Sequence, residues 1–226
     1  DFNGDGYLDA VFANSGGPEE ICLWQISTGS FECSVISDDS RNSYHVATKD
    51  MNRDGNVDIV FANQEPDLHQ ICIGNSSGFF VCDDLGMEAT KPGDVAIGDV
   101  NGDGFEDAIF ANISQRNRAC LGDGEGNFNC LEISMEEEWT TGVTLADITE
   151  DGFLEIVFAN QTDANKVCQW DRVSAFHCTV ISGIIPGGIQ VAATSDAIGS
   201  QFTVNAGLND AWYNPATNGQ GFLISV

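Results

Sequence analysis

The chain has 226 residues, 42% of them hydrophobic and 9% aromatic, enough for a sizeable core and too apolar for a disordered polymer. Eight Lys and Arg stand against 35 Asp and Glu, and the formal charge of -27 repels nucleic acid and anionic membranes while favouring cations. No apolar run approaches the roughly 20 residues that span a bilayer, and no basic-then-apolar leader precedes Asp1, so the reading expects a soluble chain with no membrane insertion and any export signal already removed.

The chain opens on Asp1, Asn3, Asp5, Gly6 and Asp9, running into Val11-Phe12-Ala13-Asn14. The phrase returns as Asp50, Asn52, Asp54, Gly55 and Asp58, then as Asp99, Asn101, Asp103, Gly104 and Asp107, and a fourth time as Asp147, Thr149, Asp151, Gly152 and Glu155. Successive copies lie 49, 49 and 48 residues apart, and a period near fifty marks a repeat architecture. Side-chain oxygens at positions one, three, five and nine, with glycine at six, suit a hard cation that takes many oxygen ligands, calcium first among them. An EF-hand needs a glutamate at position twelve and a helix after it, but that position holds Phe12, Phe61, Phe110 and Phe158 at the head of apolar, strand-like runs. The fourth loop departs from the pattern, with Thr149 at three and Glu155 at nine. With so many carboxylates crowded into these loops, stability is expected to depend on calcium, three to four ions per chain.

Each copy reads as four strands. An apolar segment precedes the loop, as in Tyr44-His45-Val46-Ala47, Val95-Ala96-Ile97-Gly98 and Val143-Thr144-Leu145-Ala146. A run apolar on both faces follows it, as in Asp58-Ile59-Val60-Phe61-Ala62. The third and fourth strands carry a cysteine each: Cys22 and Cys33, Cys72 and Cys82, Cys120 and Cys130, Cys168 and Cys178. A turn-rich segment lies between the members of every pair, so a hairpin there sets its two cysteines opposite each other, and one pair per repeat selects local disulfides among the 105 pairings open to eight cysteines. Four disulfides imply an oxidising compartment, whereas His45, His69 and His177 are not spaced as zinc ligands. Phe31, Phe80, Phe128 and Phe176 each stand two residues before the second cysteine and share its sheet face.

Inner strands buried on both faces and an outer strand that alternates are what a propeller blade requires. The expected fold is therefore an all-β β-propeller of four-stranded antiparallel blades, at about 1–45, 46–94, 95–142 and 143–185, with 186–226 a degenerate fifth blade or closing module.

The Asp-x-Asn-x-Asp-Gly-x-x-Asp phrase before an apolar strand, together with Leu121-Gly122-Asp123-Gly124-Glu125-Gly126-Asn127-Phe128, resembles the FG-GAP/VCBS repeats of integrin α-subunit propellers and secreted bacterial proteins. The resemblance covers about residues 1 to 185. It implies that each loop joins the first and second strands of a blade and binds calcium through those side chains and a backbone carbonyl at position seven, here Tyr7, Asn56, Phe105 and Phe153. Farther on, Asp196 follows the apolar Ile189-Gln190-Val191-Ala192-Ala193 without a ligand set after it. The end, with Trp212-Tyr213-Asn214-Pro215 and Gly219-Gln220-Gly221-Phe222, resembles a module near the ends of exported bacterial proteins. Since Asp1 is already a candidate ligand, the strand before it is expected from the C-terminal part, from a neighbouring molecule or from residues outside this chain; a neighbour's strand would build a fibre.

The chemistry expected is presentation, not catalysis. Gly74-Asn75-Ser76-Ser77-Gly78 matches a nucleophile pattern but falls in a hairpin turn, without the strand-to-helix elbow that exposes a serine. Asn75, Asn112 and Asn160 begin N-x-S/T sequons and are candidate glycosylation sites. The favoured reading is a non-catalytic, calcium-binding extracellular or cell-surface scaffold, adhesive or structural, whose partner is an extracellular protein, a glycan or copies of itself in a filament. A lectin-like propeller is the alternative, and the propeller of a secreted polysaccharide-active enzyme comes third. Trp24 and Trp170 recur at one site, but Gly74 and Gly122 replace them in the other two repeats, which disfavours a multivalent lectin.

Overall fold

The computed structural model describes residues 1–86 and 88–181. The expectations for 186–226, including the Trp212-Tyr213 module, lie outside the described residues. Among those described there are fourteen strands and no helix. They are β1 (Ala10–Phe12), β2 (Ser15–Gln25), β3 (Ser30–Lys49), β4 (Asp58–Asn63), β5 (Gln70–Gly74), β6 (Phe80–Asp84), β7 (Pro92–Gly98), β8 (Asp107–Gln115), β9 (Arg118–Gly122), β10 (Phe128–Glu132), β11 (Glu138–Ala146), β12 (Glu155–Asn160), β13 (Lys166–Trp170) and β14 (Phe176–Val180).

Every pairing between these strands is antiparallel, and the repeat is visible in the ladder. The second half of β3 with β4, β5 and β6 forms one four-stranded meander; β7 to β10 and β11 to β14 form two more. The first unit has β1, β2 and the first half of β3, and β1 pairs with β2 alone. The units are not the separate sheets that the repeat implied. Ser15, Gly17 and Pro18 pair with Asn42, Arg41 and Ser40, and Gln115 and Ile113 pair with Glu138 and Trp139, so the units fuse two by two into a six-stranded and an eight-stranded sheet. Period-2 patterning cannot foresee this, because short polar connections carry the extra rungs.

The second strand of each complete unit is buried on both faces, as its continuous apolar run requires: β4, β12 and the first six residues of β8 are buried throughout. The core lies between units. Phe2, Ile21, Ile59, Phe61 and Cys72 join the first unit to the second. Met51, Val60, Ala62, Phe110 and Cys120 join the second to the third, and Val100, Ile109, Ile156, Phe158 and Phe176 join the third to the fourth. Position two of each of the first three loops, Phe2, Met51 and Val100, is buried in these seams. The first strands of the second, third and fourth units lie side by side, so closely that a Cβ on Gly93 would come within 2.4 Å of the Thr140 carbonyl oxygen. This radial stacking is propeller-like. The outward face of the first unit has no such cover among the described residues, and Phe12 is 50% exposed where its counterparts Phe61, Phe110 and Phe158 are buried.

The disulfides form as the local pairing requires: Cys22–Cys33, Cys72–Cys82, Cys120–Cys130 and Cys168–Cys178, each directly opposed across the third and fourth strands. The structure also explains the irregular Trp and Gly. Trp24 and Trp170 meet Phe31 and Phe176 edge-on, at 5.1 and 4.9 Å between ring centroids. At Gly122 a Cβ would lie 2.4 Å from the Glu106 carbonyl oxygen and 3.2 Å from the Phe128 ring; Gly74 is pressed in the same way by Val57 and Phe80. Gly122→Ala is therefore expected to cost about 1–3 kcal/mol by overpacking, read from a denaturant midpoint. An unshifted midpoint would mean that the Glu106 carbonyl yields freely.

Candidate metal centres

The four loops share one local design. The position-one carboxylate accepts the N–H of position six, at 2.8 Å in Gly6 to Asp1, 2.9 Å in Gly55 to Asp50, 2.8 Å in Gly104 to Asp99 and 2.9 Å in Gly152 to Asp147. Gly6, Gly55, Gly104 and Gly152 turn through φ of 87°, 86°, 87° and 86°, left-handed values that glycine alone adopts without strain. Position three folds back, with Asn3, Asn52 and Asn101 accepting the N–H of Asp5, Asp54 and Asp103. Position five accepts the N–H of position seven, so Tyr7, Asn56, Phe105 and Phe153 are held to Asp5, Asp54, Asp103 and Asp151.

Position nine does something the pattern alone does not disclose. Asp9, Asp58 and Asp107 each accept two backbone N–H groups, one from loop position two and one from the third strand. For Asp107 these are Val100 at 3.0 Å and Gly122 at 2.9 Å. The carboxylate is thus a clamp between loop and blade. Glu155, longer by one methylene, accepts from the Ile148 and Thr149 amides, the Thr149 hydroxyl and Gln169 Nε2.

Charge in the loops is poorly compensated from within. Burial, followed by the nearby Asp103 and Asp99 charges, pushes the Asp107 carboxyl up to about 7 although its two amide bonds favour the ionised form. Asp58 is raised by burial in the same way. Asp50 Oδ1 is buried with no hydrogen-bond partner among the described residues, a carboxylate oxygen whose desolvation none of them offsets by a hydrogen bond. A hard cation fits this donor set. Among the described residues, however, no three His, Cys, Asp or Glu side chains gather as a metal-holding group.

A second repeating constellation went unread in the sequence. Asn14, Asn63, Asn112 and Asn160 each follow the Phe-Ala of a second strand; each gives its N–H to Glu19, His69, Asn117 or Asn165 and its side-chain N–H to the carbonyl of Pro18, Leu68, Arg116 or Ala164. A buried hydroxyl then ties neighbouring units. His69 Nε2 meets Thr90 Oγ1 at 2.8 Å and Thr90 donates to Asn112 Oδ1 at 2.9 Å; Asn117 donates to Thr140 at 3.0 Å and Thr140 to Asn160 at 2.7 Å. In the first seam Ser43 stands between Glu19 and Asn63 Oδ1. Burial raises the Glu19 carboxyl above its ordinary range, while its bonds from Ser43 and Asn14 and the Arg41 charge oppose the shift. The sequence signal was the constant Asn that ends each Phe-Ala-Asn run.

This network corrects two of the candidate glycosylation sites. Asn112 and Asn160 are fully buried with their amides committed, whereas Asn75 lies in an exposed turn. Ser76 lies in that same β5–β6 turn, where Asn75 Oδ1 accepts the Ser77 and Phe79 amides, and no helix follows it.

The fold and its loops define an all-β, propeller-type repeat protein braced by disulfides. A family model described as the FG-GAP-like repeat matches residues 1–61 and 99–158, and the chain belongs to that family. Comparison with curated proteins gives no match. The four disulfides suit an oxidising, extracellular type of environment, and no helix among the described residues is long and apolar enough to cross a membrane.

Proposed function

We propose that the protein is a calcium-binding extracellular scaffold, adhesive or structural, that works by presenting surfaces to an extracellular protein, a glycan or further copies of itself. The observation that carries the calcium reading is the unpartnered, buried Asp50 Oδ1 inside a loop whose glycine, asparagine and aspartates are set as in the other repeats. Binding of calcium by Asp1, Asn3, Asp5, Asp9 and their counterparts would offset the mutual repulsion of these carboxylates and lock each loop against the next unit.

Repeats of this family are in general non-catalytic, which agrees with the scaffold reading. The cations add to it. All eight Lys and Arg fall among the described residues, and each already pairs with a carboxylate or an aromatic ring, for example Lys49 with Glu106 at 3.5 Å, Lys91 with Glu65 at 3.1 Å and Arg53 over Phe105 at 4.4 Å. What is left on the outside is acidic and suits cations or neutral partners. A glycan-binding reading finds support in a cavity of about 210 Å³ between Val100, Phe153, Gln169 and Trp170; a glycan array with no signal would remove it.

Thermal melting with and without a chelator tests the calcium reading. At free calcium about 100 times Kd each occupied loop adds about 2.7 kcal/mol, so chelation is expected to lower Tm by roughly 10 °C or more. A Tm indifferent to chelator would end this reading.

A further inference from the structure

The fourth loop is built differently from the other three, and the difference lies in where a positive charge sits. In the third and fourth loops the aromatic ring at position seven is packed between position four of the preceding loop and the tip of its own unit's hairpin. For Phe105 these neighbours are Arg53, whose guanidinium carbon lies 4.4 Å from the ring centroid, and Gly124, where a Cβ would fall 2.2 Å from the ring. For Phe153 the two residue types are exchanged: Gly102 takes the first place, where a Cβ would fall 2.3 Å from the ring, and Arg172 takes the second at 4.1 Å.

The exchange changes what the cation reaches. Arg53 makes no ion pair with a loop carboxylate, whereas Arg172 Nη2 lies 2.9 Å from Oδ2 of Asp151, position five of the fourth loop. Among the described residues Arg172 is the only cation paired with a side chain at a candidate ligand position. The turn that carries it is fixed, since Asp171 Oδ1 accepts the amides of Val173, Ser174 and Ala175 at 2.7, 2.7 and 3.0 Å. Arg172 itself holds φ of 63°, a left-handed value unusual for a side-chain-bearing residue. Its counterparts in the other hairpins are Ile26, Ser76 and Gly124, none of them charged. Meanwhile Thr149 spends its hydroxyl on Glu155, and both oxygens of Glu155 are occupied by four donors.

We propose that the fourth loop is a metal-independent variant in which Arg172 supplies the positive charge to Asp151 that calcium supplies in the first three loops. The proposal rests on the calcium reading of those three. It sets the stoichiometry of the four described loops at three ions and makes the fourth unit the one whose loop keeps its shape when calcium is withdrawn.

Native mass spectrometry of the whole chain, stripped with chelator and titrated with calcium chloride, tests it. The wild type is expected to take up three ions. Asp103→Ala should lower the count to two, while Asp151→Ala should leave it at three. The combined variant Thr149→Asn, Glu155→Asp, Arg172→Ala, which restores the pattern of the other loops, should raise it to four. A wild type with four ions that falls to three in Asp151→Ala overturns the proposal and leaves the calcium reading intact; a wild type that binds none overturns the calcium reading itself. Circular dichroism of each variant separates a lost ion from a lost fold.

Discussion

Asp107→Ala is expected to destabilise the protein by about 3 kcal/mol or more, and to do so whether or not calcium is present. The side chain is fully buried and accepts the Val100 and Gly122 amides, one in its own loop and one fifteen residues onward in β9. Removing it leaves two buried N–H groups without acceptors, at about 1–3 kcal/mol each, and opens a void beside Val100 in the seam with the fourth unit. Asp103→Ala is the control. Asp103 is exposed and supports only the Phe105 amide and Asn101, so without calcium its loss is expected to shift the denaturation midpoint little, and with calcium to remove that loop's share of the ligand-linked stability. If both variants lose stability only in calcium, position nine is a ligand and no clamp. If Asp107→Ala behaves like wild type in both conditions, the clamp is wrong.

Mild acid is expected to loosen the seam between the second and third units through His69. The ring is fully buried, stacks on Phe110 at 4.2 Å and is neutral, because Nδ1 accepts the Asn63 amide while Nε2 faces the Thr90 hydroxyl. Burial, assisted by the Arg118 charge, lowers its pKa to about 4. The unfolded chain takes up its proton near 6.5 and the folded chain only near 4, so between these values the unfolded state binds more protons and stability falls as pH falls. The window of about 2.5 pH units corresponds to about 3 kcal/mol, complete by about pH 4. Other groups titrate nearby: Glu19 is raised by burial, and the His45 and Asp94 pair on adjacent first strands shifts in opposite directions, His45 down and Asp94 up, both chiefly through burial. The measurement is therefore a difference. Unfolding free energies of wild type and His69→Asn, the residue type found at the same place in the third and fourth units, are compared across pH 7 to 4. The difference between them should narrow by about 3 kcal/mol as the pH falls, and a constant difference would sink the assignment.

Those two expectations mark the boundary of what the sequence discloses. The repeat was legible because its copies recur at a fixed spacing of 48 or 49 residues, and the loops, the strand runs and the disulfide pairing because each is written within one unit, in residues at most about a dozen apart. Asp9, Asp58 and Asp107 looked like ligands in a loop, and nothing local says that their oxygens also reach Trp24, Gly74 and Gly122 on another strand. Asn112 and Asn160 looked like accessible sequons because partners that hold them buried, Thr90 and Thr140, lie 22 and 20 residues away in the chain. Gly74 and Gly122 read as lost tryptophans, although a backbone carbonyl and a phenylalanine ring already fill the space. Contacts between separate segments of the chain decide all these cases, and periodicity carries no information about them.

That every hydrophobic cluster among the described residues is shared by two successive units has a mechanical corollary. A unit excised alone would keep its disulfide but only half of two seams, so the smallest autonomous folding piece is a pair of neighbours, and each unit added contributes one further interface. Melting should then behave as a short row of coupled segments, with fraying beginning where a segment has a neighbour on one side only.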